Sequence, residues 1–445
     1  MLAVYFAYGA STVTAVALVF LQKDALALTP AEVAEIAFWT NLPWSMKMVV
    51  GAASDSHPLF GSRRISYLLL GTLATALGYL GLAIVATKGA YLAAMVLVAA
   101  GFMVQDVVAD ALSVEVAETE ADVAQVQTLG RMAFLSGTIA VGYLGGVLAS
   151  ALGPRGVMWV ALALPALVAG AAAFVRTAQR AEARRAAAPP AGRHTRLVIG
   201  GGLAYAALGV GLSALAIPGA QEIILVVSGA LLAFLLRRVG VTREVVVAAC
   251  VIFLFRATPS VGQGFTYWAI DELGFDERFL GLLAQVSAVL SLLAIVLLRE
   301  RIVRAPVSAT LFWVSLGAAA LHVPTIGLFY GLAEWLGVSP RTIAFVDTTI
   351  AAPLAQLAMI PMLTLIAKVA PPGGEATMFA LMASLMNLAL STSELLTRYL
   401  NEAFGVTQTD YRNLGLLMIT VGVLNLGPLL ALPWLRRVER PDAAG

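Results

Sequence analysis

The sequence predicts an all-α protein that crosses a membrane many times, and three observations support this fold class. Hydrophobic residues make up 60% of the 445-residue chain and charged residues only 12%. Apolar runs long enough to cross a bilayer recur from one end of the chain to the other, and no soluble core hides that much apolar surface. Because hydrocarbon offers no hydrogen bonds to the backbone, each run is expected to be a helix.

About fourteen spans are predicted, since a spanning helix needs roughly 17–25 residues. Six lie in the first half, at about 2–22, 32–52, 65–87, 90–112, 124–150 and 155–175. Two shorter apolar helices follow, at about 197–217 and 220–236, separated by Pro218 and Gly219. Six more lie at about 245–270, 277–298, 306–331, 341–366, 376–399 and 411–435.

This order predicts four regions. They are an N-terminal six-helix bundle (1–175), a basic cytoplasmic linker (176–196), two additional membrane helices (197–240) and a C-terminal six-helix bundle (241–445). The linker is rich in alanine, proline and arginine and is interpreted mainly as a solvated connector near anionic headgroups. Two six-helix bundles are typical of a secondary transporter.

The loop charges predict the orientation of the chain. With the N-terminus in the cytoplasm, the inner segments carry eighteen Lys and Arg residues and the outer segments seven. The excess on the inner side favours two cytoplasmic termini. The expected location is the plasma (inner) membrane.

Several functional classes are disfavoured by what the sequence lacks. The single cysteine, Cys250, excludes an intrachain disulfide. The chain has no HExxH, GxxxxGK[ST] or CxxC motif, so no catalytic residue, metal ion or cofactor is predicted.

The expected partners are a small organic anion, protons and the lipid bilayer, with no nucleic acid. The protein is expected to be monomeric.

Charged residues inside the spans are the main clues to function, because a charge in hydrocarbon needs a partner or a hydrated cavity. The basic residues are Lys47, Arg131 and Arg256. The acidic candidates are Asp106, Asp110, Asp347 and Glu394, with Glu32 and Glu35 near one end.

Arg256 is the strongest candidate for binding an anion. It is expected about 16 Å along its helix, near the midplane. Pro259, Gly262 and Gly264 follow it and should break the helix, which exposes backbone groups to a ligand. The alternative is a kinked helix in which a carboxylate from another helix neutralises Arg256. Arg131 is the second candidate cation for substrate.

The carboxylates are candidates for gating or proton coupling. Asp106 and Asp110 are four residues apart and share a helix face, where Lys47 and Arg131 can neutralise them. Asp110 is interpreted as part of a gate with Lys47. Asp106 fits a gate and a proton switch equally, and Asp347 is a second proton-coupling candidate or a simple pairing residue.

The loop after the second span predicts a charged latch. Glycine and proline set a tight turn there, and Asp55, Arg63 and Arg64 can bridge neighbouring helix ends. Such a latch stabilises one conformation and must break in another. The alternative is an ordinary short basic loop.

Four patches of sequence resemble the folate–biopterin transporter family, a branch of the major facilitator superfamily. The first is Asn41–Lys47 with Gly51 and Ser54–Tyr67, the second is Gln105–Glu115, the third is Phe255–Ser260 with Glu272–Phe275 and Phe279–Gly281, and the fourth is Pro371–Met382 with Asn387. The loop containing Asp55 and Arg64 is where that superfamily carries its glycine–aspartate–arginine gating signature. The patches follow the family order over most of the chain.

The resemblance implies a two-bundle carrier that imports folates or related pteridines, coupled to protons, by alternating access. It also implies a gating role for Glu375 in the fourth patch. Folates combine carboxylates with a flat heteroaromatic ring, so Arg256 could pair with a carboxylate while Tyr267 or Trp268 stacks on the ring. The alternative role of these two aromatic residues is packing or anchoring at the membrane interface.

The sequence departs from the family at Gly262–Gly264, where a more polar stretch is expected, and this leaves other functions open. One is a carrier of another organic anion or drug-like solute on the same scaffold, in either direction. A non-transporting membrane assembly factor and a membrane transferase are weaker alternatives. A membrane transferase would need paired aspartates beside a basic pocket, and the sequence lacks them.

Overall fold

The protein is helical throughout the residues that the computed structural model describes, which are 1–60, 62–116, 120–179, 193–215, 217–239, 242–370 and 375–439. Within these ranges, the only pairing of extended backbone is an isolated bridge between Leu59 and Ser62. The predicted all-α fold class is therefore confirmed.

Eight α-helices form the first part of the chain. They are α1 (Leu2–Ala10), α2 (Ala15–Phe20), α3 (Pro30–Asn41), α4 (Lys47–Ser56), α5 (Ile65–Ile84), α6 (Lys88–Val116), α7 (Glu120–Ala161) and α8 (Ala163–Gln179). Short 3₁₀ or π turns join some of them, so that α1 and α2 lie in one span, Leu2–Ala25.

Twelve α-helices follow. The two middle helices are α9 (Arg193–Ala214) and α10 (Ala220–Val239). The rest are α11 (Arg243–Arg256), α12 (Gly264–Leu273), α13 (Glu277–Arg304), α14 (Val307–Phe329), α15 (Leu332–Leu336), α16 (Pro340–Leu357), α17 (Met359–Val369), α18 (Glu375–Phe404), α19 (Leu414–Leu424) and α20 (Leu432–Glu439).

The described helices account for the fourteen predicted spans. Among the described residues, eleven segments are long and apolar enough to cross a membrane. One of them, Gln125–Phe174, has 50 residues and contains two predicted spans. The remaining two predicted spans are broken helices, α3 with α4 and α11 with α12, whose individual pieces have only 10–14 residues.

Proline and glycine explain where the helices break. Pro43 lies in the 3₁₀ segment Leu42–Met46 that joins α3 to α4. Pro259 lies between α11 and α12, and Gly262 in the same connection has a φ of +66°. Proline cannot donate the ladder hydrogen bond, and glycine adopts positive φ without steric cost. A membrane helix tolerates such breaks only where neighbouring groups satisfy the freed backbone.

The 50-residue span is divided by a glycine–proline pair. Gly153 has φ 71° and ψ 168°, a conformation outside the helical region, and Pro154 begins the next helical turn. That backbone conformation is essentially restricted to glycine. Proline is favoured in the first turn of a helix because its missing N–H is not needed there. The chain therefore reverses here as the sequence predicts.

Contacts group the chain into two compact units. The first comprises Met1–Leu26, Trp39–Ala220 and Glu277–Leu282, and the second comprises Ala27–Phe38, Gln221–Asp276 and Leu283–Gly445. The basic linker falls mainly on residues 180–192, which lie outside the described residues, so the predicted region boundaries stay predictions.

The first unit is held together by close backbone approach as well as by apolar packing. Val4, Leu68, Val108 and Ala172 bring α1, α5, α6 and α8 into one buried cluster. Gly9 on α1 packs so tightly on α7 that a Cβ there would lie 1.8 Å from the backbone oxygen of Phe134. Small residues allow membrane helices to approach in this way.

The second unit has an apolar core to which five helices contribute. The core includes Ile252 of α11, Leu311 of α14, Leu365 of α17, Met382 of α18 and Leu435 of α20, each at most 1% exposed. Other large apolar side chains point outward: Trp313 is 67% exposed and Val323 is 66% exposed. Such outward apolar surface on long helices fits a lipid environment.

The two middle helices pack on the pieces of the second span. In the first unit, Gly202 of α9 lies against Val49 of α4, where a Cβ would meet the valine side chain at 2.2 Å. In the second unit, the buried Gln221 of α10 donates to the carbonyl of Glu35 on α3 at 3.2 Å and accepts from Arg398 of α18 at 2.8 Å. These helices are therefore integral parts of the two units.

Replacing Gly9 tests the close approach of α1 and α7. We expect Gly9→Ala to lower the melting temperature by several degrees, because the added methyl group overpacks the contact at a cost of about 1–3 kcal/mol. The measurement is thermal unfolding of the purified protein in detergent. The matched control is Gly170→Ala on α8, where nothing lies within 4 Å of the new Cβ. Equal melting temperatures for the two variants would contradict the packing.

Candidate functional site

Lys47 and Asp106 form an ion pair inside the first unit. Lys47 is the first residue of α4, directly after the 3₁₀ segment, and its ammonium group donates to the Asp106 carboxylate of α6. The aspartate side chain is 12% exposed and the lysine side chain 40% exposed. The break in the second span thus brings a cation to a buried carboxylate. The predicted proximity of these two residues is observed.

Asp110 has a different partner from Asp106, although the two aspartates lie on neighbouring turns of α6. The Tyr5 hydroxyl of α1 donates to the Asp110 carboxylate. From the sequence only cations were expected as partners of the two aspartates, and Tyr5 was not predicted. A tyrosine four residues from the N-terminal end of an apolar helix gives no clear signal for this contact.

Four aromatic rings surround this charged region. Tyr8 of α1 stacks on Trp44 with ring centroids 5.5 Å apart and planes inclined by 25°. Its ring also lies 5.2 Å from Phe102 of α6 and 5.2 Å from Phe134 of α7. We call Tyr8, Trp44, Phe102 and Phe134, together with Lys47 and Arg131, the aromatic–cation cluster.

Two cations lie over the outer rings of this cluster. The Lys47 ammonium is 5.1 Å from the Trp44 ring centroid, and the Arg131 guanidinium carbon is 5.2 Å from that of Phe134. Both distances suit a cation–π interaction. Arg131 is exposed and makes no ion pair with any described residue. Its predicted role as a neutralising partner of the aspartates is not seen, and its substrate-binding role stays a prediction.

Arg64 joins three helix ends of the first unit. Its guanidinium donates to the Glu115 carboxylate at 2.7 and 2.9 Å, to Asp55 at 2.7 Å and to the Ser54 hydroxyl at 2.8 Å. Burial acts to lower the pKa of Arg64, but the hydrogen bonds and charges of Glu115 and Asp55 outweigh it and raise that pKa. Glu115, at the end of the second sequence patch, completes a latch predicted from Asp55 and Arg64.

Two further residues were predicted for gating, Arg63 in the same loop and Glu375 in the fourth sequence patch. Arg63 is partly buried and forms no ion pair with the described residues. Glu375 begins α18, but its side chain and residues 371–374 lie outside the described residues. Their gating roles stay predictions.

In the second unit, Arg256 is the last residue of α11, directly before the helix breaks. Its Nη1 donates to the Met359 sulfur at 3.2 Å, while its buried Nε has no hydrogen-bond acceptor. No described carboxylate pairs with it. The negative end of the α11 dipole favours a cation at this position. A carboxylate neutralising Arg256, the alternative left open by the sequence, is absent from the described structure.

Three polar residues of α18 hold the broken connection between α11 and α12. The Ser393 hydroxyl donates to the Thr258 carbonyl at 2.6 Å, and the Thr397 hydroxyl accepts from the Ser260 N–H at 2.9 Å. Asn401 donates to the Val261 carbonyl at 3.2 Å. These residues are spaced by four and share one helix face, so they satisfy the freed backbone that a break in a membrane requires. None of these three residues was predicted from the sequence.

The two aromatic residues predicted to stack on a ligand are packed inside the second unit. Tyr267 is 0% exposed, and Trp268 is 7% exposed between Phe265 and Phe329, at centroid distances of 5.6 and 5.2 Å. This environment is the one expected if the two residues serve in packing, the alternative role given to them from the sequence. A stacking role for them stays a prediction.

Two of the candidate carboxylates named from the sequence, Asp347 and Glu394, lie within spans of the second unit. Asp347 of α16 accepts from the Thr325 hydroxyl at 3.4 Å, while its Oδ1 is buried and has no hydrogen-bond partner. Glu394 of α18 follows Ser393, which holds the broken helix, and pairs with no described cation. Among the residues described, no cluster of three or more metal-ligating side chains occurs.

Comparison with known proteins places the chain in a family. The BT1 family model matches residues 9–444. The chain is 30% identical to the folate-biopterin transporter of Synechocystis sp. over 99% of its own length and 81% of that protein. It is 22% identical to folate transporter 1 of Plasmodium falciparum, over 95% and 76% of the two chains.

The fold also has solved counterparts. A crystal structure of a POT family transporter in complex with a thioalcohol-conjugated peptide matches with a TM-score of 0.68, at 13% identity, over 98% of this chain and 95% of that one. At this identity the match shows the fold alone, which is that of the major facilitator type. The chain therefore belongs to the BT1 family of folate–biopterin transporters and is a multi-pass membrane transporter.

Proposed function

We propose that this transporter imports folate or a related pteridine together with protons, by alternating access. The observation that carries the proposal is Arg256, a guanidinium inside a membrane helix with no carboxylate partner among the described residues. A charge within hydrocarbon costs at least about 2.5 kcal/mol unless it is paired or hydrated. A substrate carboxylate supplies the missing partner, and the relatives' names supply folate as the candidate.

The helix break beside Arg256 supports an anion site. Ser393, Thr397 and Asn401 bind the backbone of the connection by hydrogen bonds, so the residues that follow Arg256 at the end of α11 are fixed by α18. Arginine binds a carboxylate through two parallel hydrogen bonds, which gives both energy and orientation. A ligand that carries carboxylates, as folate does, fits this group.

The carboxylates in the spans support proton coupling. Asp347 has no cationic partner among the described residues, so it can take up or release a proton without breaking an ion pair. Asp106 is paired with Lys47, and its protonation would release that lysine from the ion pair. We propose Asp347 as the main proton carrier and Asp106 as a switch linked to the conformation of the first unit.

The Arg64 latch supports a conformational role. It joins the end of α4, the start of α5 and the end of α6, which are predicted to lie at the cytoplasmic side. We propose that the latch holds one state of the transport cycle and opens in another. The excess of basic residues in the predicted inner loops supports cytoplasmic termini, and we propose the plasma (inner) membrane as the location.

The first test concerns Arg256. We expect Arg256→Ala to lower folate uptake into proteoliposomes at least tenfold, because truncating one partner of a buried charge pair costs about 2–5 kcal/mol. Arg256→Lys should retain part of the uptake. The control is Arg243→Ala at the exposed start of the same helix, which should transport normally. Normal uptake by Arg256→Ala, with unchanged protein in the membrane, would reject the anion site.

The second test concerns the driving force. We expect an inward proton gradient to drive folate accumulation in proteoliposomes and a protonophore to abolish it. Asp347→Asn should lose gradient-driven accumulation but keep folate exchange across the membrane, since exchange needs no net proton movement. Asp276→Asn, at an exposed position, is the control. Uphill uptake that persists with the protonophore would mean that protons are not the coupling ion.

The third test concerns the latch. We expect Arg64→Ala to slow uptake about tenfold, because hydrogen bonds to charged groups contribute about 1.5–3 kcal/mol and partial exposure reduces this. Folate affinity at equilibrium should change less than twofold. The matched control is Arg412→Ala, which removes an 86% exposed arginine paired with Asp410 two residues away and should leave both quantities unchanged. If the two variants behave alike, the assignment of the latch to Arg64 is wrong.

A further inference from the structure

The aromatic–cation cluster of the first unit has features that packing alone does not require. Tyr8 is at its centre and contacts three other rings, yet it is only partly buried and its hydroxyl has no hydrogen-bond partner among the described residues. A packed tyrosine usually finds a partner for its hydroxyl. Asp106 and Arg131 lie within electrostatic reach of that hydroxyl.

Arg131 is the second unusual feature. It is exposed, it lies over the Phe134 ring at 5.2 Å, and none of the described carboxylates pairs with it. It lies within the span Gln125–Phe174, where an ionised residue normally faces protein or a hydrated cavity. An unpaired planar donor beside an unpaired hydroxyl and several rings is an arrangement that a flat polar heterocycle can complete.

We propose that the aromatic–cation cluster binds the pteridine ring of the substrate and that Arg131 donates hydrogen bonds to acceptors at the edge of the ring. The ring carries an oxo group and a ring nitrogen side by side as acceptors, the same arrangement that guanine presents with O6 and N7. Arginine recognises that pair of acceptors through two hydrogen bonds. The flat faces of the ring stack on aromatic side chains in the way that nucleobases do.

This inference rests on the proposed folate transport and concerns the ring of the ligand alone. Arg131 and Tyr8, both in the first unit, recognise the ring. It also moves ring recognition away from Tyr267 and Trp268, whose side chains are packed in the second unit. Lys47 remains with Asp106, and its ammonium group over Trp44 orients that ring.

The test separates the two parts with three ligands. Folate carries both the ring and the carboxylates, biopterin carries the ring without carboxylates, and p-aminobenzoylglutamate carries the carboxylates without the ring. Equilibrium binding of each is measured on the purified full-length protein in detergent, by calorimetry or competition with labelled folate. Binding does not depend on the driving force, so the readout is independent of proton coupling.

We expect Arg131→Gln to weaken folate and biopterin about tenfold or more, since a bidentate contact contributes about 1–3 kcal/mol. Its affinity for p-aminobenzoylglutamate should stay within twofold. Arg278→Gln, an exposed arginine without an ion pair among the described residues, is the matched control.

Tyr8 provides a second variant with its own outcome. Tyr8→Phe keeps the ring and removes the hydroxyl, so it should weaken biopterin severalfold without loss of thermal stability. If Arg131→Gln weakens all three ligands equally, or none of them, the ring site is refuted while the role of Arg256 can still stand. If the wild-type protein binds p-aminobenzoylglutamate but neither folate nor biopterin, the ring site and folate as substrate both fail.

Discussion

The cost of a charge in hydrocarbon governs this molecule more than any other constraint. A membrane helix has no water to solvate an ionised side chain, so each one must pair, reach a hydrated region or bind a ligand. The two cations next to the helix breaks meet this constraint differently. Lys47 follows one break and pairs with Asp106, whereas Arg256 precedes another and has no carboxylate partner among the described residues.

The breaks themselves follow from the same lack of water. Where proline removes a backbone hydrogen bond, a neighbouring group has to take its place. In the second unit, Ser393, Thr397 and Asn401 provide these groups from a single face of α18. The result is a fixed interruption with a cation at its edge, which is a general way for a membrane protein to present a charge to a substrate.

The arginines of the first unit differ in whether neighbouring side chains already accept their hydrogen bonds. Arg64 uses Ser54, Asp55 and Glu115 to join helix ends, so it contributes to conformation. Arg131 lies over an aromatic ring and pairs with no carboxylate among the described residues, so its hydrogen-bond donors remain available to a ligand. This division, rather than the number of charges, suggests which arginines act on substrate. The same reasoning separates Asp106, which has a cation, from Asp347, which has none within the described residues.

The sequence by itself determined the fold class, the approximate positions of the apolar helices and the family, because apolar length and proline–glycine breaks are local properties of the chain. It also identified Lys47, Asp106, Arg64 and Arg256 as important, since charges in spans stand out in any apolar sequence. Only the tertiary structure decided their partners. Tyr5, Tyr8, Phe134 and Ser393 are ordinary residues of apolar helices, and they gain a role only when residues distant in the chain pack side by side.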